Sequence, residues 1–226
     1  MQFESNSTAS SESSSTAPSS EWRSQSDRKS DHRFLEDAES FRSDTYRILA
    51  RLFRAAPDRE LLRGLAGSSS EVGGSKLGAA WRELSEASRQ ADPVLLDREF
   101  HALFIGLGRG EVLPYASWYL SGFLLDKPLA RLRTDLKALG IERAENVTES
   151  EDHFAAICET MALLVETDGG IDYAGQKRFY DQHLQPWVSR FLDDVRAARN
   201  ARFYRQAAEL GRRFFEFEES WLTLPQ

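Results

Sequence analysis

Cysteine is nearly absent from this chain: Cys158 stands alone among 226 residues, so no intrachain disulfide and no cysteine cage for a metal can form within one copy. A reducing, cytoplasmic setting is expected. Basic residues are also scarce relative to acidic ones, 29 against 36, which leaves a net charge of -7. A nucleic-acid binder needs a basic footprint to displace phosphate counterions, so the charge argues against that class and is easier to reconcile with a cationic partner. No run approaches the roughly 18 apolar residues of a membrane span, and the N-terminus lacks the apolar centre of a secretory signal. The four histidines, His32, His101, His153 and His183, are scattered without metal-ligand spacing, so no metal is expected.

Also missing is any run that alternates apolar and polar residues as a half-buried strand does. From Phe34 onward the apolar residues recur at helical spacing, and a chain of this length supports one good core. The expectation is an all-α, single-domain bundle of about nine or ten helices over residues 34–226. Residues 1–33 are read separately as a disordered tail, because twelve of the first thirty are serine and almost nothing there can be buried.

Phe41, Thr45, Ile48, Leu49, Leu52 and Phe53 form the stripe of a first helix, which Pro57 ends. Asp92-Pro93 opens another, with Leu96, Phe100, Leu103 and Phe104 on one face. Further helices are expected near residues 58–66, 77–89, 117–123, 128–139, 173–183, 186–199 and 201–222. The GLGRG sequence at 106–110 follows a helix and not a strand, and has no neighbouring Lys-Ser/Thr, so it is read as a flexible turn rather than a phosphate loop.

The stretch ESEDHFAAICETMALLV, residues 149–165, sets three carboxylates and a histidine ahead of an apolar helix. Phe154, Ile157, Cys158, Met161 and Val165 share one stripe, so Cys158 is read as core. Thr148 and Glu151 have the spacing of a capping box, which accounts for Glu149 and Glu151 as first-turn acids and for Asp152 only in part. Asp152 and His153 are neighbours that diverge by about 100° on a helix, so they make a poor base and orienter. Ser117 lacks a glycine elbow and is read as a cap rather than a nucleophile. No enzyme signature and no cofactor site emerge.

Two stretches carry a family resemblance. FHALFIGLGRGEVLPYASWYL, residues 100–120, resembles the first signature of the TorD/DmsD redox-enzyme maturation chaperones. EDHFAAICETMALL, residues 151–164, resembles the second, with Ser150 standing where the family commonly has proline. The closing FYDQHLQPWVSRFLDDVRAARNARFYRQAAELGRRFFEFE is similar to the family's last helices, most of all to members that accompany formate dehydrogenases. The resemblance spans about residues 34–222. It implies a noncatalytic, cytoplasmic chaperone that binds the twin-arginine signal peptide and apo form of a molybdenum or tungsten oxidoreductase and delays its export.

By the same resemblance the peptide-binding residues are Phe100, Leu103, Phe104, Pro114, Tyr115, Ser117, Glu149, Glu151, Asp152 and His153. Asp152, supported by Glu149 and Glu151, is expected to face the peptide's arginines, while Leu103, Phe104, Pro114 and Tyr115 line a groove for its apolar middle. His153 is left between two readings: it orients the acidic rim through Glu149, or it completes the interior. Some relatives bind guanine nucleotides weakly or form homodimers, and nothing in this sequence argues for either. Two other classes stay open: an adaptor for a folded partner, and a hydrolase or nucleotide-dependent enzyme built on Asp152, His153, His183 and the glycine turn.

Overall fold

The computed structural model describes residues 25–68, 74–144, 147–166 and 172–224, with side chains from residue 36 onward. Its helices are α1 (Gln25–Arg54), α2 (Arg59–Gly67), α3 (Lys76–Gln90), α4 (Pro93–Phe100), α5 (Ala116–Ser121), α6 (Lys127–Ala138), α7 (Phe154–Glu166), α8 (Tyr173–His183), α9 (Val188–Ala197) and α10 (Phe203–Trp221). A single π-helical turn, His101–Ile105, continues α4. The all-α reading holds: ten α-helices and no strand occur among the described residues. Among the described residues, 25–37, the start of α1, fall in one unit and those from Ala38 onward in the other. Of the stretch read as a tail, residues 1–24 lie outside the described residues, whereas 25–33 belong to α1.

Local chemistry sets the helix starts. Asp58 accepts from the Leu61 amide at 2.7 Å, Ser75 from Gly78 at 3.0 Å, Asp92 from Val94 at 2.8 Å and Asp172 from Gly175 at 2.8 Å. Each satisfies an amide that the helix itself leaves orphaned, for roughly 1 kcal/mol apiece. Gly140, at φ 69°, follows the end of α6 as the sequence leads one to expect.

The apolar faces meet around Phe53. Its ring lies 5.7 Å from Phe104, 5.0 Å from Phe154, 5.4 Å from Phe191 and 5.7 Å from Tyr204, which joins α1, the π turn, α7, α9 and α10 through edge-on contacts. Such pairs contribute about 0.5–1.5 kcal/mol beyond the area they bury. Cys158 is fully buried in the same core, and burial raises its thiol pKa well above the ordinary value, in line with a structural role.

An ion pair is buried with this core. Arg42 on α1 donates through Nε and Nη2 to the two carboxylate oxygens of Glu218 on α10, both at 2.7 Å, and through Nη2 to Gln176 on α8 at 3.0 Å. The Tyr46 hydroxyl adds a bond to Glu218 at 3.0 Å, and the Tyr173 ring lies 5.5 Å from the guanidinium carbon. Arg42 and Glu218 have no solvent exposure, so removing either strands the other. Arg42→Met is expected to cost about 3–5 kcal/mol in a urea melt. The double variant Arg42→Met/Glu218→Leu should recover most of that loss, and a double variant no better than the single would show the pair is not the cause.

Candidate functional site

The two signature stretches meet at a crossing of extended backbone. The Phe154 amide donates to Pro114 O at 2.7 Å and the Ala116 amide to Asp152 O at 2.9 Å, an isolated antiparallel bridge that centres on Tyr115 and His153. Beside it, Asp152 turns its carboxylate inward. Oδ2 accepts from the Ser117 amide at 2.9 Å, at the start of α5, and Oδ1 accepts from the Ser150 hydroxyl at 2.6 Å. A buried carboxylate is tolerated when its oxygens are bonded in this way.

This arrangement overturns part of the expected site. Asp152 has no exposed surface, so it cannot face a peptide's arginines; its charge is spent on capping α5 across the crossing. Leu103, Phe104 and Phe100 are core residues: Phe104 packs at 5.2 Å on Phe100 and on Tyr204, so these three cannot line an open groove. Pro114 is buried and Tyr115 is half-buried. Ser117 is buried too, and its hydroxyl accepts from the Leu125 amide at 3.2 Å, which closes the turn after α5.

The capping box also fails to form. Helix α7 begins at Phe154, later than that box requires, and His153 caps it by accepting from the Ala155 amide at Nδ1, 3.1 Å away. His153 is buried against the Tyr115 ring, 5.1 Å between centroids, which favours the interior reading over rim orientation. Burial lowers its pKa to about 4, with Arg54 acting in the same direction and Glu149 and Asp152 opposing. Ser150, the departure from the family pattern, supplies a hydroxyl bond to Asp152 that proline has no group to make.

Glu149 is exposed and Glu151 is part-buried at the surface. The Tyr115 hydroxyl donates to Glu149 at 2.8 Å, and burial together with this bond raises the Tyr115 pKa. Arg133 on α6 holds Glu151 through Nε at 3.0 Å and Nη2 at 2.8 Å, and Arg143 Nε lies 3.7 Å from its other oxygen. Burial works to raise the Glu151 pKa, but the bonds from Arg133 and the Arg143 charge bring it below the usual carboxylate range. These acids border a groove of about 250 Å³ whose apolar lining includes Leu136, Ile141, Val147, Ala156 and Leu163. A larger cleft of about 650 Å³ is lined by Leu120, Pro128, Leu132, Ile157, His183 and Pro186. Leu132 and Leu136 are four residues apart on α6, about 6 Å of rise, so the two hollows follow one another along that helix.

Neither cleft was legible from the sequence, although the i, i+4 pair Leu132 and Leu136 was a signal of α6's inward face. Beside the larger cleft, between its lining residues Ser121 and Asp126, the turn carries Phe123, Leu124 and Leu125 into solvent. Leu125 adopts φ 59°, a left-handed conformation costing a non-glycine residue about 1–2 kcal/mol. The GLGRG turn is closed rather than free: a side chain on Gly106 would fall 2.1 Å from Arg109 O, and one on Gly110 2.5 Å from the Phe104 carbonyl carbon. The Val112 amide also bonds back to Leu103 O at 2.8 Å.

The groups proposed for an enzyme all serve the fold. Asp152 caps α5, His153 caps α7, and His183 Nε2 lies 2.8 Å from Asp135 Oδ2. Among the described residues, no cluster of three or more His, Cys, Asp or Glu could hold a metal, and no helix is long and apolar enough to cross a membrane.

Comparison with known proteins agrees with this fold. The family described as nitrate reductase delta subunit matches residues 73–193. The chaperone protein TorD of Vibrio cholerae serotype O1 is 29% identical over 184 residues, covering 75% of this chain and 81% of that protein. TorD of Photobacterium profundum is 27% identical over 160 residues, covering 62% and 74% respectively. A solved structure described as a redox enzyme maturation protein from Archaeoglobus fulgidus superposes with a TM-score of 0.50 at 21% identity, over 79% of this chain and 93% of that one.

The His153 environment has a pH consequence. A folded pKa below the unfolded 6.5 adds stability at higher pH, which is lost as pH falls from about 6.5 to 4, by about 3 kcal/mol at most. Thermal melts across that range should show a shallower decline in His153→Asn than in the parent chain; parallel declines would remove His153 as the source. Asp152→Ala, which strands the Ser117 amide, is expected to destabilise by about 1–3 kcal/mol, and Asp152→Asn by less because one acceptor is kept. Equal losses in the two variants would count against the capping role.

Proposed function

Because the chain belongs to the nitrate reductase delta subunit family, which includes the TorD chaperones, and is a redox-enzyme maturation chaperone, we propose that it binds a twin-arginine signal peptide. The observation that carries this reading is an acidic shelf ahead of α7, Glu149 and Glu151, bordering an apolar groove that α6 and α7 line. The peptide's cationic head meets Glu149 and Glu151, and its apolar middle runs along Leu120, Pro128 and Pro186, which line the larger cleft beside the Phe123–Leu125 turn. A guanidinium fork fits a carboxylate better than an ammonium does, so arginine is preferred over lysine.

In this reading the remaining residues act by position. Asp152, Ser117 and His153 hold the two segments that present the shelf, and Tyr115 fixes Glu149 through its hydroxyl. The chaperone domain comprises residues from about 34 on. The client is an apo molybdenum or tungsten oxidoreductase, with formate dehydrogenase as the specific case, and the encounter takes place in the cytoplasm before export. Ordering a disordered peptide costs several kcal/mol, so an affinity near micromolar, about -8 kcal/mol, suits reversible retention.

Titration calorimetry with a synthetic twin-arginine leader tests both halves of the site. Glu151→Gln is expected to weaken binding about tenfold while the fold is kept, and a lysine-for-arginine leader should bind less well than the natural pair. Leu125→Gly should raise the melting temperature by relieving the left-handed strain, yet weaken leader binding by removing an apolar contact. Leader affinity unchanged in both variants would remove this site from the account.

A further inference from the structure

Of the two shelf carboxylates, Glu151 is already occupied by guanidinium groups of the chain itself, whereas the Glu149 carboxylate accepts from the Tyr115 hydroxyl and the Ser150 amide. Glu151 is largely covered, with 15% of its side-chain surface exposed, while Arg133 at 52% and Arg143 at 41% lie on the solvent side. Arg143 also donates from Nη1 to Glu149 O at 3.2 Å, and Arg54 on α1 donates to Glu159 at 2.6 Å across the same groove. At Glu151 a guanidinium arriving from solvent therefore meets arginine before it meets carboxylate.

We propose that Arg133 and Arg143 are resident stand-ins for the peptide's arginine pair, and that the leader binds by exchanging with them on Glu151. This rests on the signal-peptide reading above and adds its route and its selectivity. The exchange replaces one fork on a carboxylate with another, so the buried side of Glu151 keeps a partner throughout. The displaced side chains move into water, where a long arginine is well accommodated. Because the competitor is tethered, its effective concentration is high, and only a ligand presenting two properly spaced guanidiniums displaces both stand-ins. Single cations and lysine-rich segments compete poorly, which makes the resident arginines a filter against the many basic peptides of a cell.

The filter weakens intrinsic affinity, and that gives the test. Leader binding is titrated with the full-length chain, with Arg133→Gln/Arg143→Gln, and with Arg59→Gln/Arg63→Gln as a control that changes net charge equally away from the shelf. The shelf variant is expected to bind the twin-arginine leader about five- to tenfold tighter than the control, and to lose much of its discrimination against a leader carrying a single arginine. If the shelf variant melts early, the two single substitutions serve, each with a smaller gain. Binding by the parent chain with no gain in the shelf variants over the control overturns the exchange and leaves the signal-peptide reading standing. Absence of leader binding in every protein overturns both.

Discussion

The crossing of residues 114–116 over residues 152–154 ties together two segments that lie 38 positions apart, and the buried Asp152 carboxylate holds it in register. Desolvating a buried carboxylate costs several kcal/mol, and the bonds from the Ser117 amide and the Ser150 hydroxyl, with the nearby Arg133 charge, offset that cost. Everything at the surface of the site follows from this arrangement. With Asp152 turned in, Glu149 is exposed and Glu151 lies under Arg133 and Arg143 at the surface, and the start of α5 is fixed so that the Phe123–Leu125 turn stands beside the larger cleft.

The site thus separates two kinds of acid that look alike in the sequence. Asp152 stabilises the scaffold and has no contact with solvent, whereas Glu151 is half of a replaceable surface pair. The same division runs through the apolar residues. Phe100, Leu103 and Phe104 belong to the aromatic core around Phe53, while the reachable apolar surface comes from Leu120, Leu163 and the Phe123–Leu125 turn. A chaperone that releases its client benefits from such a division, because surface pairs can exchange without disturbing the core.

Much of the fold was legible in the residues. Helical periodicity, the Asp92-Pro93 start and the Gly140 stop mark elements that the structure contains, and Cys158 sits in the core as its stripe implies. The site was less legible, for three physical reasons. Local spacing cannot reveal that the Asp152 side chain caps a helix thirty-five residues earlier, so its charge suggested a surface role. The Thr148–Glu151 pattern fits a capping box, but the tertiary bridge delays α7 until Phe154 and leaves His153 as its cap. The partners of Glu151 come from Arg133 and Arg143, one of them on another helix, and no motif announces such a pairing.

The most direct test of the central claim is amide hydrogen exchange on the full chain, with and without a saturating twin-arginine leader. Binding at the shelf and along α6 is expected to slow exchange at residues 147–151 and 120–127, and to leave 100–104 unchanged because those residues are core. Protection confined to α2 and α3, or to the 100–104 segment, would contradict it.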